Sequence, residues 1–251
     1  MFDFLFSKKK AQAEAEVPAY FEMFGADLHS HLIPGIDDGS TDLMTSLRMI
    51  KRMRQMGIRK IATTPHVSEV YPNDRDSIFD GLIRLKQLIK YEGVDVELTA
   101  AAEYMINDLF EQAVRDNATL LTLPKNHILV EMPHVSEPLN LQRTIELLIA
   151  RGYVPIMAHP ERYRFYNGDL ASFEKIKGYG CLLQVNVLSL VGYYGSSVAE
   201  TAWQLMDRRL IDFVGTDFHH EQHIEVFLKK MTPACRTALE TYPFKNRQLF
   251  G

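Results

Sequence analysis

From Tyr20 onward one two-part unit recurs seven times: a short apolar run of strand length, then a segment with apolar residues at helical spacing. The runs cover about 22–28, 60–64, 95–101, 127–131, 154–158, 181–187 and 211–216. Helical periodicity predicts helices at about 41–56, 75–91, 107–115, 139–151, 169–177 and 196–209, and through the last region to about Leu239. Leu43, Leu47 and Ile50 share one face of the first, and Ile78, Leu82, Leu85 and Ile89 one face of the second. Gly57, Gly93 and Gly152 stand where helices should stop. Leu120 to Leu123 reads as a short extra strand or an extended loop, and 242–251 as a tail. Hydrophobic strands alternating with helices predict a parallel sheet. Seven units without a long interruption predict an α/β chain folded as a single (β/α) barrel, whose functional groups gather at the carboxyl ends of the strands. The 251 residues suit one such barrel, and 46% apolar composition supplies its core.

No repeat or low-complexity linker divides the chain, so 18–251 is expected to be one domain preceded by a flexible tail, 1–17. That tail begins Met1-Phe2-Asp3-Phe4-Leu5-Phe6 and continues into Lys8-Lys9-Lys10. Its apolar part is too short for a signal peptide and its charges follow rather than precede it. No segment approaches the roughly twenty apolar residues of a membrane span. These features give an expectation of a cytoplasmic protein with no integral membrane segment. A net charge of −4 without a basic block beyond the three lysines argues against nucleic-acid binding.

Six of the seven predicted strands deliver ionisable groups at their carboxyl ends. The first gives Asp27, His29 and His31, with Asp37 and Asp38 close behind; the later ones give His66, Glu103, Glu131, His159, Asp217 and His219. His29 and His31 are two apart, so in extended chain both imidazoles point to one side, as a metal site needs. Taken singly each residue has an ordinary explanation: His66 after Pro65 as a loop residue, Glu103 as an ion-pair partner, Asp217 as a helix cap. Together on one barrel mouth they concentrate more buried charge than a fold tolerates without cations. The expectation is a site of two or three divalent metals sharing bridging carboxylates.

Asp27-Leu28-His29-Ser30-His31, Thr64-Pro65-His66, Ala102-Glu103, Val130-Glu131, Ala158-His159-Pro160-Glu161-Arg162 and Thr216-Asp217-Phe218-His219 resemble the polymerase-and-histidinol-phosphatase (PHP) superfamily. Ile36-Asp37-Asp38-Gly39-Ser40 and the His-Pro-Glu-Arg tetrad resemble its capsule-associated, metal-dependent bacterial protein tyrosine phosphatases. The resemblance spans about residues 22 to 220. It implies a distorted seven-stranded TIM-like barrel, the PHP fold, with a trinuclear centre, manganese first and iron or zinc as alternatives. It further implies that His29, His31, Glu103 and Asp217 hold one metal. Glu131 and His159 join Glu103 around a second, and Asp38, His66 and His219 surround a third. Asp37 would then stand behind the ligands or face solvent, and Asp27 would orient an imidazole. The chain departs from the pattern at Ile224, where such proteins commonly carry a second phosphate-binding arginine. Arg162 alone, or with His220 or His223, would have to hold the phosphate.

The implied reaction is hydrolysis of a phosphate monoester by a metal-activated hydroxide, with His159 and Asp217 at the reacting centre and Arg162 clamping the phosphate. Neither Cys181 nor Cys235 begins a Cys-x5-Arg loop, since Val187 and Thr241 occupy the positions the arginine would need. The substrate implied is phosphotyrosine on a protein, such as a bacterial tyrosine kinase of polysaccharide export. The alternatives are a phosphatase of a small ester such as histidinol phosphate, an amidohydrolase-like barrel, and a metal-loaded interaction domain. Glu103 and Glu131 in the middle strands disfavour the second of these. Arg162 speaks against the third. His134, His220 and His223 are the histidines available as a general acid. Tyr163, Phe165, Tyr166, Tyr193 and Tyr194 can stack on a phosphotyrosine ring or simply pack the rim.

Overall fold

The computed structural model describes residues 19–251, so the tail at 1–17 lies outside the described residues. The strands are β1 (Ala26–Asp27), β2 (Lys60–Thr63), β3 (His66–Val67), β4 (Glu97–Ala100), β5 (Glu103–Met105), β6 (His127–Glu131), β7 (Val154–Ala158), β8 (Leu182–Asn186) and β9 (Phe213–Gly215). The helices are α1 (Leu43–Gln55), α2 (Arg75–Tyr91), α3 (Asp108–Arg115), α4 (Leu141–Ala150), α5 (Leu170–Gly178), α6 (Val187–Leu190), α7 (Ser196–Asp207), α8 (Glu221–Lys230), α9 (Pro233–Thr241) and α10 (Asn246–Phe250). Every described strand pairing is parallel, in the orders β1-β2-β4 and β3-β5-β6-β7-β8-β9.

The two sheets are one interrupted ring. β2 and β3 are halves of a single strand bent at Thr64-Pro65, and β4 and β5 halves of another bent at Ala101-Ala102. Backbone bonds Ala101 N to Thr63 O (2.9 Å) and Glu103 N to Pro65 O (3.1 Å) carry the pairing across both bends. The residues therefore form seven strands, as the repeated unit predicts. First and last meet at a narrow seam. His31 N donates to Phe218 O at 3.0 Å and Asp217 N to His29 O at 2.7 Å. Farther in, the Asp27 carboxylate accepts from the Thr216 N–H (2.9 Å) and hydroxyl (2.7 Å).

Two expectations change here. The apolar run at 22–28 is a turn at Tyr20–Phe24 followed by a two-residue strand, because Phe21 and Phe24 pack outward against the helices rather than into a ladder. The segment 242–251 contains α10. The Asn246 amide accepts from Val214 N (3.1 Å) and donates to Val214 O (2.7 Å) and Ala26 O (3.3 Å), fastening the seam at its amino end. Leu249 enters the barrel beside Leu28, Ala62, Leu129, Ile156 and Phe213.

Period-two alternation sorts the strand residues. In β9 and its extension Phe213, Gly215 and Asp217 share the inner face; in β8 Leu182, Gln184 and Asn186 do, while Leu183 and Val185 pack on the helices. The interior is thus apolar at the amino end and polar at the carboxyl end.

Candidate metal centre

The polar end of the barrel gathers every ionisable residue named at the strand ends. Among the described residues, three groups have ligand atoms lying within 4.8 Å of one another. They are His29, His31, Glu103 and Asp217; His66, Glu103 and Glu131; and His31, Asp38, His66 and His219. Glu103 belongs to two of them, as a bridging carboxylate would. His159 reaches the same place: its Nε2 stands 3.0 Å from Glu103 Oε1 and 4.0 Å from Glu131 Oε2. His66 lies between groups, with Nδ1 2.9 Å from Glu131 Oε1 and Nε2 3.5 Å from Asp38 Oδ1.

Backbone strain aims two of these side chains. His159 and Asp217 both have left-handed backbones, φ 34° and 52°, at the ends of β7 and the β9 extension. Such conformations persist only where surrounding structure enforces them. Gly39 is needed for another reason: a Cβ there would come within 2.4 Å of both the Cβ and carbonyl oxygen of His31. Its absence lets the Asp37-Asp38 loop fold over that imidazole.

The orientation of the imidazoles follows from one charge. Asp217 carries no proton, because the imidazoles around it hold its pKa well below the carboxylate range against the effect of burial. The group 2.6 Å from its Oδ2 must therefore be the Asn186 amide nitrogen. The Asn186 oxygen then accepts from Gln184 Nε2 at 2.8 Å, which turns the Gln184 oxygen to His29 Nδ1 at 2.7 Å. His29 consequently keeps a proton on Nδ1, which leaves Nε2 as the nitrogen that can give up its proton to a metal. His31 Nδ1 likewise donates to Asp37 Oδ2 (2.8 Å), and His219 Nδ1 to the Asp217 carbonyl (2.9 Å). Asp37 is thus behind the ligands. Asp27 instead spends its oxygens on Thr216 and on the His29 backbone N–H (3.4 Å), not on an imidazole, so the imidazole-orienting role expected of it falls to Gln184 and Asn186.

The Nε2 atoms meet carboxylates. His29 Nε2 lies 3.1 Å from both Glu103 Oε2 and Asp217 Oδ1, and His31 Nε2 lies 3.4 Å from the same two oxygens. Carboxylates buried this closely need positive charge among them, which protons on the imidazoles or a bound cation can supply. The local field says the same: burial disfavours charge on His29, yet Glu103 and Asp217 pull its pKa up to about 10. Burial, then Arg162, pushes His159 down to about 3, and burial with His31 pushes His219 down to about 4. Both are neutral, as ligating imidazole must be. Nitrogen and carboxylate donors with bridging oxygens fit hard to borderline divalent ions.

Two clefts open on this centre. The inner one, about 210 Å³, is walled by Asp38, His66, Tyr71, Glu131, Asp217 and His219. The outer one, about 490 Å³, is walled by His134, Arg162, Arg164, Tyr193, Tyr194 and Val198. His134 and Arg162 line both and form the divide. Arg162 is 22% exposed, donates to Asp217 Oδ2 at 2.8 Å and lies 4.5 Å over the Tyr194 ring.

Other expected substrate contacts lie elsewhere. Among the described residues neither His220 nor His223 lines either cleft. His223 is buried and its Nδ1 accepts the His219 backbone N–H at 3.2 Å, so it braces the turn carrying that histidine. His220 packs against His223 with the rings tilted by 49° and their centres 3.8 Å apart. Ile224 is fully buried in the core, where an arginine would not be accommodated. The aromatic group divides: Tyr163 and Tyr166 are core, Phe165 packs against it, and Tyr193 and Tyr194 line the outer cleft. Burial pushes the His134 pKa down, leaving it a poor proton donor at neutral pH. It also pushes the Cys181 and Cys235 thiols up to about 12, so neither is a ready nucleophile. Gln184, Asn186, Tyr71 and Arg164 were not anticipated from sequence. The signal for the first pair is two amides at inward positions of an otherwise apolar strand.

Residues 25–241 match the profile of the family described as "Capsular polysaccharide synthesis, CpsB/CapC". Tyrosine-protein phosphatase YwqE of Bacillus subtilis (strain 168) is 28% identical over 195 residues, which is 77% of this chain and 77% of that protein. A solved chain described under YwqE from Bacillus subtilis and CpsB from Streptococcus pneumoniae, "unique metal-dependent tyrosine phosphatases", superposes with a TM-score of 0.75. It is 26% identical, over 89% of this chain and 94% of that one. Histidinol phosphate phosphatase from Lactococcus lactis, solved with Zn, L-histidinol and phosphate, gives a TM-score of 0.52 at 12% identity. It covers 87% and 93% of the two chains, and at that identity speaks for the fold alone.

Proposed function

This chain belongs to the CpsB/CapC family of capsular polysaccharide synthesis, and from that premise we propose that it is a metal-dependent phosphatase of phosphotyrosine on proteins. The observation that carries this is the placement of Arg162. It stands on the divide between a donor-lined inner cleft and an aromatic outer one, its guanidinium held by Asp217. A phosphoryl group placed against Arg162 also faces the donors of the inner cleft, while an aryl group lies toward Tyr193 and Tyr194.

We assign His29, His31, Asp38, His66, Glu103, Glu131, His159, Asp217 and His219 as metal ligands, with manganese the preferred ion. Divalent ions held there supply Lewis acidity, lowering the pKa of water and offsetting charge on the phosphoryl oxygens. Arg162 orients the phosphate through its planar donor fork. Gln184, Asn186 and Asp37 hold the imidazole tautomers. Asp217 both belongs to the donor set and keeps Arg162 in place. Tyrosinate is a comparatively good leaving group, so the absence of a strong acid among the mouth histidines fits an aryl ester. The natural substrate is proposed to be a tyrosine kinase of polysaccharide export. Residues 18–251 act as one domain. No described helix is long and apolar enough to cross a membrane.

The test is phosphate release by metal-stripped protein before and after adding Mn, Fe or Zn. A phosphotyrosine peptide, a phosphoserine peptide and histidinol phosphate are offered in parallel, with His159→Ala as control. Metal-dependent turnover of phosphotyrosine alone, lost in the control, is expected. Preference for histidinol phosphate would move the site to small esters; metal binding without turnover of any ester would overturn the phosphatase reading.

A further inference from the structure

We propose that Arg164 is a specificity-determining residue that receives a carboxylate of the substrate flanking the phosphotyrosine. The inference rests on the phosphotyrosine reading of the site and says what lies beyond the phosphorylated side chain.

Three observations support it. First, Arg164 lines the outer cleft with Arg162 but is not part of the inner one, so it faces what extends outward from the phosphoryl group rather than that group itself. Second, the outer wall is cationic without a carboxylate of its own. The charge of Arg162 is already engaged by Asp217, whereas Arg164 is exposed and forms no ion pair among the described residues. Third, its backbone is fixed on both sides. Tyr163 is buried, with its hydroxyl donating to Ala158 O and accepting from Met132 N at 2.8 Å. Tyr166 is also buried and bonded to Glu137. Arg164 thus projects from a short helical turn anchored by aromatic residues before and after it. A fixed stem with a free guanidinium suits recognition of an anionic neighbour.

A substrate with its phosphate at Arg162 and its ring near Tyr194 must lay an adjoining stretch of main chain along this wall. An Asp or Glu there meets an uncompensated guanidinium, and a Lys meets repulsion. An exposed pair of this kind is worth up to about fivefold in affinity, less as salt rises.

The experiment compares phosphotyrosine peptides flanked on both sides by Asp, Gln or Lys, together with phenyl phosphate, on the metal-loaded wild type, Arg164→Gln and Arg164→Lys. Turnover is read as kcat and KM separately. Binding of the same peptides bearing a non-hydrolysable phosphonotyrosine is read by anisotropy, so flank selectivity is measured whether or not turnover occurs. The wild type is expected to favour the Asp peptide over the Lys peptide by about fivefold, mainly in KM and in affinity. Arg164→Gln should bring that ratio near one, and Arg164→Lys should restore part of it. An unchanged ratio in Arg164→Gln would overturn the proposal. So would an equal loss on phenyl phosphate and on all peptides, since Arg164 would then serve the phosphoryl group. Absence of turnover on every phosphotyrosine ester, with flank selectivity intact in binding, would fault the proposed reaction and not this role.

Discussion

Replacing Gln184 by Leu is the sharpest test of how the centre is organised. Leucine nearly preserves volume but removes the acceptor 2.7 Å from His29 Nδ1 and the donor 2.8 Å from Asn186 Oδ1. His29 then has no reason to keep its proton on Nδ1. Once the ring has lost one proton, the other can then stay on Nε2 and donate to Glu103 Oε2 or Asp217 Oδ1, each 3.1 Å away, at the position where a ligating lone pair is needed. Any metal must first reverse that tautomer. Loss of a group that orients a ligating imidazole costs about 10- to 100-fold in metal affinity, or roughly 1.4–2.7 kcal/mol. The assay is calorimetric titration of metal-stripped protein with Mn or Zn under chelator competition, with urea unfolding of the stripped protein run alongside. Gln184→Glu, which keeps the acceptor toward His29, should retain more affinity than the leucine variant. If Gln184→Leu lowers the urea midpoint yet binds metal within twofold of wild type, the amide chain is only a structural brace and the tautomer argument fails.

Gly215→Ala should reproduce part of that defect, about tenfold in metal affinity, because the new Cβ would sit 2.8 Å from both Gln184 Nε2 and His29 Cβ; wild-type affinity in the same titration would contradict the crowding. Asn246→Ala should cost about 3 kcal/mol of stability by stripping partners from Val214 and Ala26 at the seam, read as a lower urea midpoint at unchanged slope; a loss below about 1 kcal/mol would show that water replaces the amide. Asp212 accepts from Lys177, Lys245 and the Leu183 N–H, and despite burial these contacts hold its pKa below the ordinary 3.8. A depressed carboxyl contributes stability that is fully present above the unfolded pKa and lost as pH falls through the folded one. Asp212→Asn should therefore lower stability at neutral pH and lessen its decline in acid, whereas parallel acid-unfolding curves would refute the linkage.

The seven-fold alternation and the ionisable residues at the strand ends were legible because both are local. Period-two and period-3.6 patterns fix which face a residue takes, and a strand's carboxyl end is defined by the helix that follows. That is enough to bring Glu103, Glu131, His159 and Asp217 to one mouth. The seam was not legible. Its contacts join Asp27 to Thr216 and Ala26 to Asn246 across most of the chain, and no periodicity names such partners. For the same reason Asp27 read as a support for the imidazoles and 242–251 as a tail. His220 and His223 were expected at the phosphate, but only the packing of α8 decides which side of that turn and helix faces the mouth; both proved to brace it, beside the core residue Ile224. The sequence alone determined a parallel (β/α) barrel with a polar, metal-competent end. Tertiary structure decided how the ring closes, which amides set the imidazole tautomers and which arginines face the clefts. These depend on neighbours distant in the chain and on the direction of side chains, which a linear pattern does not encode.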